Sequence, residues 1–179
     1  MLPSQTLLPR IWLMTDERMG ERLWEALQRL PAGHAGVVFR HYAAPDRQTL
    51  GQRITTICAD RGLTLAVAGD VELARSFKAQ LVHNPRSPAH ELPFSVPVHS
   101  LREAEAARTL GATLVFVSPI HPTRSHPGGT ALGDDRAIEI ARAAGVPAIA
   151  LGGMNAHRFA KLEKRGFYGW AAIDAWLES

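Results

Sequence analysis

The chain has 179 residues, of which 46% are hydrophobic, which is enough for one well-packed core and too little for two ordinary domains. Its net charge of +3 comes with no run of lysine or arginine interleaved with aromatic residues, so the composition argues against a nucleic-acid partner. The single cysteine, Cys58, excludes an internal disulfide, and the lack of a signal leader or of about 18 consecutive apolar residues predicts a cytoplasmic protein with no membrane anchor.

Short apolar runs alternate with helical patterns along almost the whole chain. We predict eight strands, at Ile11–Met14, Gly36–Arg40, Thr64–Ala68, Gln80–Val82, Val96–His99, Thr113–Val117, Ala148–Leu151 and Tyr168–Ala171. Apolar residues at helical spacing predict helices at Glu17–Leu30, Arg47–Asp60, Asp70–Lys78, Leu101–Leu110, Asp134–Ala144 and Ala156–Lys164. This alternation is typical of βα units around a parallel sheet. With eight strands it favours an α/β fold, a single (β/α)8 TIM barrel over residues 1–179, rather than an open doubly wound sheet.

The fourth crossover and the helix starts can be predicted in more detail. The segment Asn84–Ser95 contains Pro85, Pro88 and Pro93, which disfavour a full helix, so the fourth crossover is predicted to be degenerate. A short crossover fits a chain below the usual size of such barrels, about 200 residues or more. Five residues are candidate N-caps, because their side-chain oxygens can accept hydrogen bonds from the first free amides of a helix: Asp16, Asp46, Ser100, Asp134 and Asn155.

The carboxyl ends of the predicted strands carry most of the histidines. Ligands of such barrels bind at that end, and five of the eight histidines fall there: His41, His83, His99, His121 and His126. Imidazole suits proton transfer near neutral pH, so this rim is a source of a general acid or base. Two other interpretations stay open: rim histidines that only form hydrogen bonds, and a metal site of imidazoles, which here lacks the short spacing of zinc motifs.

The loop after the sixth strand is the richest in reactive side chains. His121 and His126 are the predicted catalytic residues, because the same loop also supplies two hydroxyls and a guanidinium. These are Thr123, Ser125 and Arg124, which are predicted to bind a phosphate or substrate.

A glycine pair follows the seventh strand. Gly152 and Gly153 can bring their backbone N–H groups close to a ligand, and Asn155 can begin the next helix. Free N–H groups at a helix N-terminus favour an anion. The sequence therefore predicts a phosphate site at this turn.

Four stretches of the chain together carry a family resemblance. They are Trp12-Leu-Met-Thr-Asp16, Val98-His-Ser-Leu-Arg-Glu-Ala-Glu-Ala-Ala107, Ser118-Pro-Ile-His-Pro-Thr-Arg-Ser-His126 and Ile149-Ala-Leu-Gly-Gly-Met-Asn155, and the short stretch Gly111-Ala-Thr113 agrees as well. With them the chain resembles the thiamine phosphate synthase/TenI family of (β/α)8 barrels over most of its length. The resemblance implies a small phosphorylated thiazole or pyrimidine ligand. The implied ligand-binding positions are Arg40, His99, Gly152, Gly153 and the backbone of Ala171 and Ala172.

The sequence departs from the synthases of this family at the diphosphate end. Those synthases join a pyrimidine diphosphate to a thiazole phosphate with Mg²⁺. Their Gln-x-Arg-x-Lys after strand two is here Val38-Phe-Arg-His-Tyr42, and their Asn-Asp-Arg after strand three is Ala68-Gly-Asp70. A second aspartate, expected after strand four, has no match in His83-Asn-Pro-Arg-Ser-Pro88. Because Mg²⁺ prefers oxygen ligands, the resemblance implies weak Mg²⁺ binding and no certain cofactor.

TenI-type members of the family instead tautomerise a thiazole carboxylate phosphate, which needs an acid–base residue and no diphosphate site. Their histidine matches Pro119, and His121 lies two residues later. The resemblance thus favours TenI-like proton transfer over Mg²⁺-dependent synthesis. Two alternatives stay open: a working synthase whose Mg²⁺ is held by Asp16, Asp70 or substrate oxygens, and a non-catalytic protein that binds a thiamine precursor. A homo-oligomer is compatible with the sequence.

Overall fold

The protein is an eight-stranded parallel barrel. The computed structural model describes residues 8–89, 92–124 and 128–177. Each strand pairs in parallel with the next along the chain, and the eighth strand pairs with the first, so the sheet closes. The predicted (β/α)8 barrel is confirmed. In the part of the chain that the structure describes, no helix is long and apolar enough to cross a membrane.

Strands and helices alternate in the order that the sequence indicates. The strands are β1 (Ile11–Met14), β2 (Ala35–Phe39), β3 (Thr64–Ala68), β4 (Leu81–His83), β5 (Phe94–Val98), β6 (Leu114–Val117), β7 (Ala148–Ala150) and β8 (Gly169–Ala172). The α-helices are α1 (Arg22–Arg29), α2 (Arg47–Arg61), α3 (Val71–Ser76), α4 (Leu101–Thr109), α5 (Gly133–Ala144) and α6 (Ala156–Glu163). Two short 3-10 segments, Glu17–Met19 and Asp174–Trp176, follow β1 and β8.

The inside of the barrel is filled by side chains. Trp12 of β1 meets Phe116 of β6 edge to face, with ring centroids 5.8 Å apart. Gly36 of β2 makes room for this indole, because a Cβ there would lie only 2.4 Å from the Trp12 ring. Successive strand residues point to opposite faces, so Phe39 of β2 packs outside the barrel, against Phe77 at 6.5 Å. A filled interior leaves the ends of the barrel as the places where a ligand can bind.

The helical layer around the barrel is thin at two connections. Between β4 and β5, the described residues 84–89 and 92–93 contain no helix, which confirms the degenerate fourth crossover. Among the described residues after β8, the 3-10 segment is the one helical element. There Trp176 stacks on Trp170, with ring centroids 5.2 Å apart, and donates its indole N–H to the carbonyl of Trp12 at 3.3 Å. Aromatic packing thus takes the place of a full last helix.

The predicted boundaries hold to within two residues for every strand. The first predicted helix, Glu17–Leu30, is divided in the structure, because Gly20 has a positive φ of 51° that ends the 3-10 segment before α1 begins. Hydrogen bonds from backbone N–H groups to the side chains confirm three predicted caps, Asp16, Ser100 and Asn155.

The other two predicted caps differ from expectation. Asp46 occupies the N-cap position of α2 and forms no capping hydrogen bond with its side chain. The prediction for Asp134 was wrong, since α5 begins one residue earlier, at Gly133. Tertiary contacts set this start: the amide of Gly133 donates to the carbonyl of Ile120 at 3.0 Å, which holds the helix against the loop after β6.

Candidate functional site

A cavity of about 550 Å³ opens at the carboxyl end of the barrel. Its wall comes from the ends of β5, β6, β7 and β8, and Arg40 at the end of β2 completes it. The volume falls within the range of about 300–1,000 Å³ that is typical of small-molecule sites. This cavity is therefore the candidate functional site.

The glycine pair after β7 lies in the cavity wall and keeps its amides free. Gly152 and Gly153 have φ values of 98° and 60°, in the region that favours glycine. A Cβ on Gly152 would lie 2.8 Å from the Cα of Pro119, so the turn needs glycine for space as well. No atom among the described residues accepts a hydrogen bond from the N–H of Gly152 or Gly153. Two backbone donors are thus available to a ligand.

The helix after this turn adds to its preference for anions. The Asn155 side chain caps α6 by accepting a hydrogen bond from the amide of Arg158 at 2.9 Å. The Arg158 guanidinium folds back, and its Nη1 donates to the carbonyl of Gly153, which steadies the turn. Arg158 also lines the cavity. A helix N-terminus, free amides and a guanidinium together suit a phosphate group.

Among the described residues, His99 is the histidine that lines this cavity. Its Nδ1 lies 2.6 Å from the carbonyl oxygen of Ser118, and a carbonyl can only accept, so Nδ1 carries a proton. In the neutral ring Nε2 is then the nitrogen with a free lone pair. The Glu103 side chain accepts a hydrogen bond from the backbone amide of His99 at 2.6 Å and holds the residue in place. The ring is therefore held with Nε2 as the nitrogen that can accept a proton.

His121 lies beside the cavity rather than in its wall. Its backbone amide donates to the carbonyl of Gly152 at 3.1 Å, which joins the loop after β6 to the glycine turn. Its Nε2 lies 3.5 Å from Oδ1 of Asp134 at the start of α5. The ring is thus directed toward that carboxylate.

Arg40 is held at the opposite side of the mouth by backbone and carboxylate groups. Its Nε donates to the carbonyl of Thr15 at 3.0 Å, and its Nη2 donates to Oδ2 of Asp16 at 3.3 Å. Asp16 also binds the guanidinium of Arg18 at 2.7 Å. Burial raises the pKa of Asp16, but the hydrogen bonds from Arg18 and the two nearby guanidinium charges outweigh it and lower that pKa. Asp16 therefore stays ionised between two arginines.

Two other rim histidines are buried and neutral. His83 of β4 contacts the hydroxyl of Ser95 through Nδ1 at 3.0 Å, inside the barrel, and packs edge to face on Phe116. Burial, together with the Arg40 charge, lowers the pKa of His83 to about 3. His41 contacts the Thr15 hydroxyl at 3.0 Å, and burial lowers its pKa as well. These imidazoles serve the packing of the barrel end.

The low pKa of His83 predicts a pH dependence of stability. The unfolded chain takes up a proton at His83 near pH 6.5, whereas the folded protein does so only near pH 3. The free energy of unfolding should therefore fall as the pH drops between these values, by about 1.4 kcal/mol per pH unit from this residue. Chemical denaturation between pH 7 and pH 4 measures it. His83→Gln should flatten the profile, whereas His34→Gln, at an exposed position, should not; equal slopes in both variants would contradict the prediction.

Two arginines stack on Tyr42, which follows β2: Arg47 at the start of α2 and Arg86 in the loop after β4. The Arg47 guanidinium lies 5.3 Å from the ring centroid of Phe39 and 5.4 Å from that of Tyr42, and its Nη2 donates to the carbonyl of Ala68. Arg86 stacks on the same Tyr42 ring at 5.4 Å. The side chain of Asp70 caps α3 by accepting from the amide of Leu73. Within residues 8–89, 92–124 and 128–177, no three His, Cys, Asp or Glu side chains are grouped to hold a metal ion.

The structure brings together most of the residues that the sequence singled out. Those that line the cavity are Arg40, His99, Thr123, Arg124, Gly152, Gly153 and Ala172. Ala171 is buried within β8, and His121 lies outside the wall. The predictions for Ser125 and His126 fall outside the described residues. Their proposed roles stay predictions.

Sequence reasoning missed two charged residues of the wall, Arg158 and Asp174. Oδ2 of Asp174 lies 3.2 Å from Nε of Arg124, which joins the loops after β6 and β8. Their positions in the chain could have indicated them, because Arg158 falls in the first helical turn after the cap Asn155 and Asp174 follows the last strand.

Comparisons with known proteins agree with one another. A family model described as thiamine monophosphate synthase matches residues 11–176. A thiamine-phosphate synthase of Roseiflexus sp. (strain RS-1) is 30% identical over 181 residues, which cover 92% of this chain and 77% of that protein. A protein of Aquifex aeolicus with a provisional thiamine-phosphate synthase name is 29% identical over 186 residues, which cover 96% of this chain and 99% of that protein. The solved structure of a thiamine phosphate pyrophosphorylase from Pyrococcus furiosus has the same fold, with a TM-score of 0.78 at 22% identity, over 93% of this chain and 86% of that one.

Proposed function

Because this chain belongs to the thiamine monophosphate synthase family, we propose that it binds a thiazole phosphate in the cavity and catalyses proton transfer on its ring, as TenI-type relatives do. One observation carries the proposal: the free amides of Gly152 and Gly153 share a cavity with His99, whose Nε2 is the accepting nitrogen of a fixed tautomer. The amides supply a phosphate site and the imidazole supplies a base.

The phosphate end of the ligand would lie on the turn after β7. The two amides precede α6 and would donate hydrogen bonds to the phosphate. The negative charge of the phosphate strengthens these hydrogen bonds, and the helix dipole adds to the attraction. This binding uses backbone N–H groups and no side chain, and glycine is required there by the positive φ values and by the lack of space for a Cβ. With the phosphate held at this turn, the ring of the ligand would extend toward β5 and β6, where His99 lies.

His99 would then move the proton. In its neutral form Nε2 accepts a proton from a ring carbon of the thiazole, and the imidazolium returns a proton to another ring atom, so the net change is an isomerisation that consumes nothing. The carbonyl of Ser118 keeps its hydrogen bond to Nδ1 throughout. We propose His99 for this role instead of His121, because the Nε2 of His121 faces Asp134 outside the cavity wall.

Magnesium chemistry does not fit the residues at the other end of the mouth. The Asp70 carboxylate caps α3 and lies 3.9 Å from Arg47, and the Asp16 carboxylate is bound by two arginines. Ala68 and Gly69, which precede Asp70, have no side-chain oxygen to offer. Mg²⁺ is held in proteins through carboxylates and substrate oxygens, and both of these carboxylates are already engaged. We therefore propose a reaction that does not use Mg²⁺.

A second candidate is thiamine-phosphate synthesis from a pyrimidine diphosphate and a thiazole phosphate. The names of the Roseiflexus and Aquifex relatives favour it, and the Aquifex protein matches this chain over almost its whole length. The engaged aspartates disfavour it, because both carboxylates that could hold Mg²⁺ are bound to amide or guanidinium groups.

Two assays separate these functions. In D₂O, proton NMR of the thiazole carboxylate phosphate with the protein should show exchange of the ring proton and formation of the tautomer. In a second assay, both synthase substrates with Mg²⁺ should release no diphosphate. Diphosphate release without ring exchange would overturn the proposal in favour of synthesis. Ligand binding with neither reaction would overturn it in favour of a non-catalytic binding protein.

A further inference from the structure

We propose that the hydroxyl group of Ser118 is a second catalytic group in this cavity. It donates a hydrogen bond to the part of the ligand ring that gains negative charge when His99 removes a proton. The inference rests on the proposed function, because it adds a residue to the proton transfer assigned there to His99.

Ser118 is held firmly in the cavity wall. It directly follows β6 and is half-buried there. Its backbone amide donates to the carbonyl of Val98 in β5 at 3.1 Å, and the amide of Ile120 donates to the carbonyl of Leu151, which follows β7, at 3.0 Å. The backbone around Ser118 is thus tied to the strands on both sides. A donor that is fixed in advance needs no reorganisation when the ligand reacts, which makes such a group effective.

The hydroxyl of Ser118 lies beside His99 and keeps its own proton. Its Oγ is 3.5 Å from Nδ1 of His99, which is too long for a strong hydrogen bond. Nδ1 already carries the proton that it donates to the Ser118 carbonyl at 2.6 Å, so the hydroxyl cannot donate to this nitrogen. In the part of the chain that the structure describes, no other group pairs with the hydroxyl. Its O–H is therefore available to a ligand.

The proposed reaction needs a donor of this kind. When Nε2 of His99 accepts the proton from a ring carbon, the electron pair of the broken C–H bond stays on the ligand. The ring then carries negative charge until the imidazolium returns a proton to another ring atom. A hydrogen bond from a hydroxyl to the atom with this charge stabilises the transition state more than the ground state. The Ser118 proton stays on its oxygen throughout, so the net change is still an isomerisation.

The position of Ser118 relative to the base supports this role. Ser118 and His99 follow the neighbouring strands β6 and β5, and their side chains approach to 3.5 Å. A ligand ring that places one carbon at Nε2 therefore brings another atom toward the hydroxyl. Arg158, another donor in the wall, instead bonds the carbonyl of Gly153 at the glycine turn. Ser118 thus places a donor on the side of the cavity where the proton is removed.

Ser118→Ala tests the inference, because it removes the hydroxyl and keeps the backbone carbonyl that orients His99. With the thiazole carboxylate phosphate at saturation in D₂O, ring exchange followed by proton NMR should slow by roughly 100-fold, within the range for loss of one donor to a developing charge. The Kd measured by calorimetry should change little. Ser118→Thr, which retains a hydroxyl, should keep most of the wild-type rate.

The tautomer of His99 separates loss of the hydroxyl from displacement of the ring. In nitrogen NMR of the protein with isotope-labelled histidines and no ligand, the wild-type protein and Ser118→Ala should both carry the His99 proton on Nδ1, since the carbonyl that fixes it is unchanged. A slow Ser118→Ala variant with an altered tautomer would overturn the inference, because the loss of rate would then come from a misplaced base.

Ser100→Ala is the matched control. Ser100 is next to His99 in the chain, and its hydroxyl caps α4 by accepting from the amide of Glu103 at 3.2 Å, outside the cavity wall. The variant should lower the Tm and leave the exchange rate unchanged. A wild-type rate in Ser118→Ala, or a raised Kd with an unchanged rate, would overturn the catalytic role of Ser118 and leave that of His99 intact. Absence of exchange in the wild-type protein would overturn the proposed function together with this inference.

Discussion

Replacing His99 by asparagine is expected to lower the rate of thiazole ring exchange by roughly 100- to 10,000-fold, the usual contribution of a general acid–base group. The asparagine amide can still donate to the carbonyl of Ser118, as Nδ1 of the imidazole does. Only the accepting nitrogen Nε2 is lost. The Kd of the ligand should therefore change little, and exchange measured by NMR at saturating ligand isolates the chemical step.

The matched control for this variant is His157→Asn. His157 is an exposed histidine of α6 that does not line the cavity, so its replacement should leave the exchange rate unchanged. A wild-type rate in His99→Asn would remove His99 from the mechanism. In that case the same measurement on His121→Asn and His126→Asn would test the two histidines that the sequence suggested first.

Replacing Gly152 by alanine is expected to weaken binding of a thiazole phosphate by about 100-fold or more, because the new side chain must displace the turn. Its Cβ would lie 2.8 Å from the Cα of Pro119 and 2.9 Å from the amide nitrogen of Ile120, and both are backbone atoms that cannot rotate away. The φ of 98° is also unfavourable for alanine. Moving the turn takes the amides away from the phosphate, which removes hydrogen bonds to a charged group.

Gly166→Ala provides a matched control for strain. Gly166 has a φ of 111° and nothing within 4 Å of an added Cβ, and it does not line the cavity. Both variants should lose stability in thermal denaturation, because both force alanine into a left-handed conformation. Only Gly152→Ala should lose affinity in calorimetry. Equal affinities of the two variants would show that the glycine turn does not bind the phosphate.

Much of the fold could be predicted from the sequence, because the pattern of apolar residues is local. The run Ile11–Met14 and the run Thr64–Ala68 were predicted with the boundaries that the structure has. The prolines at 85, 88 and 93 were sufficient to predict a crossover without a helix. The division of the first helix at Gly20 was missed, since an isolated glycine within a helical pattern is often tolerated.

The location of the candidate site was also predictable, because the carboxyl ends of all strands in a parallel barrel meet at one rim. Residues that directly follow strands, such as Arg40, His99 and Gly152, therefore share the cavity. Their orientation was not predictable. His83 turns inward to Ser95, and His121 turns toward Asp134, although the sequence placed both at the same rim as His99.

The order of strands and helices, the glycine turn and the rim on which polar residues gather were determined by the sequence itself, since they depend on spacing between neighbouring residues. Tertiary structure decided which of the described rim histidines contacts the cavity: His99 does, whereas His83 turns inward to Ser95. These choices depend on hydrogen bonds between strands far apart in the chain. A side chain's partner across the barrel is set by packing, and no local pattern contains that information.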